Sequence, residues 1–479
     1  MAKEILINVE SQEKRAAIVN AGRLEEFYIE RPQDKTIVNN IYKGKIEAAL
    51  PSIGAAFVDI GLPKNGFLYL SEIEYSFEPL ETQEPIPKEI KKGQEVLVQV
   101  VKESFGTKGP RLSCHIGLAG RYLVLMPQEN QIGVSRRIED DEERRRLRGA
   151  FSEFRLPKDV GFIVRTAASG RSKQELQRDA HFLLKLWKRL EKIMQDKKAP
   201  SLVYEEYDLT LRVIRDSFTE DVSKLIVDSK AEYYRIQRFM STFLSYLRNR
   251  VELYRGDDLF EDKDIEKQIN KIFESKIYLK SKGYIIIEPT EGLVVIDVNS
   301  GGFRKKLGQE EMAFKVNCEA AVEAARQLIL RDLGGIIVID FIDMEKDSHR
   351  REVLNILKKA LSNDRAKYDI LGISQFGLVE MTRERIHRTV QALSYEACPY
   401  CQGRGKVKSP VTMSIYALRE LRRFLKGKSL KQVSITLNPA VIDELLKDKE
   451  NLSFIERKFK IKLNFISVPS LHIEDIRIL

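Results

Sequence analysis

The sequence runs to 479 residues, 43% apolar and 32% charged, which excludes general disorder and predicts several packed units rather than one domain. Lysine and arginine outnumber aspartate and glutamate by 81 to 71, a net charge of +10 that favours a polyanionic partner without identifying it. No apolar run approaches the roughly 20 residues that span a bilayer, the N-terminus has no basic-then-apolar leader, and four cysteines are too few for a disulfide framework, so a cytoplasmic protein is expected.

Short strands open the chain: Glu4 to Val9, Arg15 to Val19 and Leu24 to Ile29, a β-meander closed by the turn at Arg31-Pro32 (residues 1–35). From 36 to 116 glycine-punctuated strands follow, Asn40 to Ile46, Ala55 to Gly61, Asn65 to Leu70 and Glu95 to Val101, interrupted by a proline- and glutamate-rich loop at 78–92. That spacing fits a small OB-type barrel. Residues 117–201 combine a strand, Gly161 to Thr166, with an amphipathic helix from Lys173 to Gln195. Residues 202–275 read as strands at Tyr207 to Ile214 and Lys224 to Val227, then helices near 229–240 and 263–275. This stretch is expected to complete the first strands, leaving the barrel as an insertion.

Residues 276–395 read as hairpin, helix, strand, helix, strand and helix, an α/β layer with parallel neighbours. The last helix ends near Tyr395. A glycine-rich link at 396–408 leads to helix, strand, helix and strand over 409–479, a small α+β unit.

Within the α/β layer, Leu293-Val-Val-Ile-Asp297-Val-Asn299-Ser-Gly-Gly and Ile336-Ile-Val-Ile-Asp340-Phe-Ile-Asp343 are apolar strands that end on aspartate. The helix from Glu310 to Leu330 makes them a crossover pair, and open α/β sheets bind ligands beyond the carboxyl ends of such strands. Two carboxylates brought together there repel unless protonated or bridged by a cation. Magnesium suits that role, because it binds through one or two carboxylates plus substrate phosphates. Strand-end aspartates also cap turns and helix N-termini, and Asp343 and Glu345 fit that use as well as extra ligation.

Cys398-Pro-Tyr-Cys401 before Gln-Gly-Arg-Gly405 has the spacing of half a zinc site, and tetrahedral zinc needs four ligands. Two chains could each donate a pair; a redox dithiol uses the same spacing. Cys114 sits at the barrel's edge, Cys318 reads as a buried packing residue of the crossover helix, and the five histidines have no ligand spacing.

The two aspartate segments, Val-Val-Ile-Asp297-Val-Asn-Ser-Gly and Gly335-Ile-Ile-Val-Ile-Asp340-Phe-Ile-Asp-Met344, resemble the bacterial ribonuclease E/G family, and the resemblance extends over essentially the whole chain. It lies nearer the ribonuclease G branch, because the long scaffold tail of ribonuclease E has no counterpart. The resemblance implies a magnesium-dependent endoribonuclease that cleaves single-stranded RNA to 5′-phosphate and 3′-hydroxyl ends, with Asp297 and Asp340 as magnesium ligands and Asn299 supporting them. It implies an RNase H-like domain split between 1–35 and 202–275, an S1-type barrel at 36–116 and a 5′-phosphate sensor at 117–201. A DNase I-like catalytic domain at 276–395 and a zinc link at 396–408 complete the set.

On the barrel, Phe57 and Phe67 match RNA-contacting aromatics and Lys108 a basic contact. In the sensor, Val124, Arg136, Arg165 and Thr166 match the 5′-phosphate pocket. Its remaining basic position is Lys367 rather than arginine, which keeps the charge and loses the bidentate fork. Cys398 and Cys401 would share one zinc between two subunits, giving a homodimer, with pairing of dimers left open. Ribosomal and transfer RNA precursors and messenger RNA are the implied substrates. Two rivals stand beside this reading: a non-catalytic RNA-binding scaffold with a zinc-linked dimer, and a magnesium nuclease acting on DNA.

Overall fold

The computed structural model describes residues 3–75, 91–104, 108–127, 129–138, 140–152, 154, 157, 160–290, 292–302, 308–362, 364–374, 377–385, 390 and 394–479. The chain folds as two compact units, Met1–Leu393 and Ser394–Leu479.

In the first unit the N-terminal meander, strands Lys3–Val9, Lys14–Asn20 and Arg23–Glu30, is extended by Val222–Val227, which pairs parallel to Lys3–Val9, and then by Val251–Leu253. The intervening residues are therefore an insertion, as the sequence suggests. Strands Ile41–Leu50, Ala55–Asp59, Gly66–Tyr69, Arg111–Ser113 and Glu95–Lys102 form a barrel that closes where Ile41–Leu50 pairs with Glu95–Lys102. Closure removes the open sheet edges that would otherwise invite pairing with another chain.

Residues 118–196 build a four-stranded sheet, ordered Ile132–Val134, Val160–Val164, Leu123–Pro127, Leu118–Ala119. The helices Asp141–Ser152 and Lys173–Asp196 pack on it through Leu147, Phe151, Leu176, Leu183 and Trp187.

The six-stranded sheet runs Lys276–Tyr278, Tyr284–Pro289, Leu293–Asn299, Gly335–Asp340, Leu378–Arg383, Tyr368–Ile373. The helices Gln309–Leu330 and Asp347–Leu361 cover one face, where Ile285, Ile296, Ile337, Ile339 and Val379 are buried. Because side chains alternate along each strand, the residues between those buried ones all project from the other face.

Three sequence expectations need correction. Tyr207 to Ile214, read as a strand, belongs to a helix, Leu209–Ser217, whose N-terminus Asp208 caps by accepting from the Leu211 amide. Seven of its nine residues are buried, and Leu209, Leu211 and Val213 imitate β alternation, while Arg212, Arg215 and Asp216, which share one side of the helix, span too few turns for the 3.6-residue period to stand out. The single helix read over 263–275 is instead the short helix Glu266–Asn270 and a 3-10 turn, Lys271–Phe273, after another short helix at Leu259–Asp262. The last strand of the α/β layer is a hairpin, Tyr368–Ile373 with Leu378–Arg383, which pairs antiparallel to Gly335–Asp340. The sheet is therefore mixed, with one parallel pair. The helix read as ending near Tyr395 falls mostly outside the described residues.

The second unit holds a three-stranded sheet, Lys462–Ser467, Gln432–Leu437, Arg477–Ile478, packed by helices Pro410–Leu425, Pro439–Lys447 and Lys449–Phe459. Among the described residues no helix is long and apolar enough to cross a membrane.

Candidate active site

The crossover helix Gln309–Leu330 returns the chain so that Leu293–Asn299 and Gly335–Asp340 lie side by side and parallel, with Asp297 and Asp340 as direct Cα partners. Both belong to the face that the helices leave uncovered. Asp297 is half-buried and Asp340 exposed. Asn299, two residues on and so on the same face, donates from Nδ2 to Asp297 Oδ2 at 2.7 Å, which fixes the carboxylate's rotamer. Burial raises the Asp340 carboxyl above its ordinary range, and the neighbouring negative charges of Asp297 and Asp343 raise it further. Carboxylates that repel in this way, with oxygen donors facing solvent, fit the donor set of a hard divalent cation. Among the described residues, no group of three or more His, Cys, Asp or Glu side chains forms a complete protein cage. A cation here would keep waters or take substrate oxygens, as magnesium does.

The loop after Asp340 is held by a residue that sequence reading passed over. Asn317, fully buried on the crossover helix, donates from Nδ2 to the Ile342 carbonyl at 2.7 Å and accepts from the Ile342 amide at 3.0 Å. The signal was a polar residue within an otherwise apolar stripe. Glu310 completes the clamp by accepting from the Glu345 and Lys346 amides and pairing with His349, whose ring stacks on Phe314 at 4.1 Å. Glu345 is thus engaged through its backbone. Gly377, at φ +80°, lies beside Asp343, and an added Cβ would sit in ordinary van der Waals contact with its Oδ1 at 3.5 Å. Replacing Asn317 with leucine strands both Ile342 backbone groups, and a loss of about 2–4 kcal/mol is expected in chemical denaturation. Cleavage should fall with it, measured at a temperature where the variant stays folded.

On the barrel, Phe57 and Phe67 are Cα partners with ring centroids 6.1 Å apart, edge to face. Tyr69 continues the row at 5.1 Å from Phe67, and the Arg111 guanidinium lies over Tyr69 at 5.0 Å. Lys108 is exposed. Tyr69 and Arg111 were not anticipated; the alternation Phe67-Leu-Tyr69 was the available cue.

In the third sheet, Val164 is the common neighbour of Leu123 and Val134. Arg165 and Thr166 therefore leave the sheet at the same end as Arg136, while Val124 sits opposite Ile163. Arg165 Nη1 donates to the Gly120 carbonyl at 2.6 Å and lies 2.8 Å from Asp216 Oδ1. Burial pushes Asp216 up, but Arg215 and Arg165 beside it more than reverse this, leaving the carboxyl well below its ordinary range. Arg137, not Arg136, makes the long-range contacts: it donates to the carbonyls of Asp364, Arg365 and Ala366, which brings the segment carrying exposed Lys367 to this sheet.

In the second unit Cys398 is exposed, and hydrogen bonds from the Cys401 and Tyr400 backbone lower its thiol pKa. Cys401 Sγ accepts from the Gly405 amide at 3.3 Å. Two thiols on one glycine-rich turn are of the ligand type that a tetrahedral zinc site draws on, and such a site needs four.

Comparison with known proteins matches this architecture. The profile of the Ribonuclease E/G family covers residues 117–386, that of the S1 RNA binding domain residues 35–115, and that of the RNase E/G, Thioredoxin-like domain residues 397–479. The chain is 40% identical to ribonuclease G of Haemophilus influenzae over 475 residues, 96% of both chains. It is 40% identical to ribonuclease G of Escherichia coli K12 over 467 residues, 95% of this chain and 94% of that one. Against ribonuclease E of Haemophilus influenzae the identity is 41% over 469 residues, 96% of this chain and 50% of the longer protein. With one profile covering more than half of the sequence and near-complete alignment to two ribonucleases G, the chain belongs to the ribonuclease E/G family of endoribonucleases.

Proposed function

We propose that this protein is a magnesium-dependent endoribonuclease that hydrolyses single-stranded RNA to 5′-phosphate and 3′-hydroxyl ends, favouring substrates with a 5′-monophosphate. The observation that carries the reading is the registered pair Asp297 and Asp340 on an open sheet face, with Asn299 bonded to the first of them. These two carboxylates would hold magnesium, which when bound polarises a phosphoryl oxygen and lowers the pKa of a water. Asn299 holds Asp297 in one rotamer, and Asn317 and Glu310 hold the loop that carries Asp343. Phe57, Phe67 and Lys108 offer stacking faces and a cation to the unpaired strand. Arg136, Arg165, Thr166 and Lys367, with Val124 beside them, suit a terminal phosphate, for which charged and hydroxyl donors are strong partners.

The same reading makes 1–35 with 202–275 an RNase H-like domain, 117–201 the sensor and 276–395 a DNase I-like catalytic domain. It assigns Cys398 and Cys401 to a zinc shared by a homodimer, and the protein to cytoplasmic rRNA and tRNA processing and mRNA decay. The test uses a 5′-monophosphorylated single-stranded RNA and the matching DNA oligonucleotide, each with magnesium and with EDTA. RNA cut only with magnesium, giving fragments that ligase accepts at the new 5′ end, supports the proposal. Binding without cleavage would favour an RNA-holding scaffold, and equal cutting of DNA a general nuclease. Gel filtration of the same protein before and after chelation reads the zinc-linked dimer; unchanged dimers would contradict that part.

A further inference from the structure

The open face of the six-stranded sheet carries a second cluster beside the carboxylates. Across the sheet, Asp297 is the Cα partner of Ile286, and Ile286 of Lys276; in the next row Asn299 partners Tyr284, and Tyr284 partners Tyr278. Partners in register project from the same face, so Lys276, Tyr278 and Tyr284 share the face of Asp297, Asn299 and Asp340. Two strand spacings separate Lys276 from Asp297, roughly 10 Å between backbones.

The three side chains form one assembly. The Lys276 ammonium lies 3.7 Å from the Tyr284 ring centroid and 5.1 Å from that of Tyr278, and the two rings meet edge to face at 6.1 Å. Tyr278 is 71% exposed, a large aromatic surface left in water. The hairpin tip beyond it adds exposed Lys280 and Lys282 and is packed against the turn that follows Asn299. A Cβ on Gly301 would meet the Lys282 carbonyl at 2.4 Å, and one on Gly283 the Asn299 carbonyl at 2.8 Å. The hairpin is thereby fixed to the carboxylate strand. An edge strand gains protection from self-pairing by carrying lysine, but that need does not account for two tyrosines gathered around it on the carboxylate face.

We propose that Lys276, Tyr278 and Tyr284 form a substrate platform on which a base of the single-stranded RNA next to the scissile phosphate stacks against Tyr278, while Lys276, held over Tyr284, pairs with a backbone phosphate. This rests on the reading that the chain cleaves RNA at Asp297 and Asp340. An aromatic face and an adjacent cation are the two elements that grip unpaired nucleic acid without reading its sequence. The platform positions substrate; it takes no part in bond breaking.

The test measures kcat/KM for single-stranded RNA cleavage by the full chain with Tyr278→Ala, Tyr278→Phe and Lys276→Met. In parallel, the Kd of a fluorescein-labelled RNA is measured by anisotropy for the same substitutions made in Asp297→Asn protein. Tyr278→Ala is expected to lower kcat/KM and raise Kd by about tenfold each, with Tyr278→Phe close to the parent because the ring face remains. Lys276→Met should reduce the salt dependence of binding by about one phosphate contact. Kd values equal to the parent's for Tyr278→Ala, or equal damage from Tyr278→Phe, would overturn the platform. A parent that binds RNA and responds to Tyr278→Ala without cleaving would instead overturn the catalytic reading alone.

Discussion

Asp297→Asn and Asp340→Asn are each expected to lower single-turnover cleavage of single-stranded RNA by at least about 100-fold, and the double variant to be no worse than the poorer single one. The two carboxylates are adjacent Cα partners on parallel strands, and on the proposed reading they would hold one ion, so removing either would disable the site that both make. Losses that do not add mark residues working as a unit. The substitutions are nearly isosteric and remove a like-charge repulsion that raises Asp340. Thermal midpoints should therefore stay level or rise while cleavage collapses. Independent, additive losses would mean that the carboxylates serve different steps.

A second large effect, on stability, is expected at Arg383. The residue is 4% exposed, and its guanidinium bonds Asp364 twice, Nε at 2.6 Å and Nη2 at 3.1 Å, while Nη1 reaches Asp332 and the Leu333 carbonyl, both at 2.8 Å. Arg383→Ala leaves Asp364, itself buried, without its cation. Removing one partner of such a pair costs about 3–5 kcal/mol, to be read as a lower denaturant midpoint. Arg383 pairs with Gly335 at the end of the strand opposite Asp340, so cleavage at a permissive temperature should survive. Asp364 also begins the segment that Arg137 grips ahead of Lys367. The proposed preference for a 5′-monophosphate should therefore weaken in Arg383→Ala more than cleavage itself does. A variant as stable as the parent would refute the assigned role.

Much of the α/β layer that carries the aspartate pair was legible because its signals are local. A run of apolar residues ending on aspartate, a long amphipathic crossover and a second such run imply parallel neighbours, and the structure puts Asp297 opposite Asp340. What sequence could not supply was register across other strands. Lys276 and Tyr284 are ordinary residues in a hairpin until pairing sets them on the face of Asn299. Asn317 is likewise one polar residue in a helix until it meets Ile342, 25 positions away. Leu209–Ser217 was misread because Leu209, Leu211 and Val213 alternate as in a strand, and nine residues are too few for the shared side of Arg212, Arg215 and Asp216 to announce a helical period. Arg137 was hidden behind Arg136, since neighbouring arginines are indistinguishable before the fold gives one of them the carbonyls at 364–366.

The magnesium dependence of RNA cleavage tests the central claim most directly. For the parent, the rate should rise to saturation with magnesium and vanish in EDTA, whereas Asp340→Asn, with half of the paired carboxylates gone, should need far more magnesium to reach even a small residual rate. A parent that cleaves equally well in EDTA, or an Asp340→Asn curve that overlies the parent's, would contradict it.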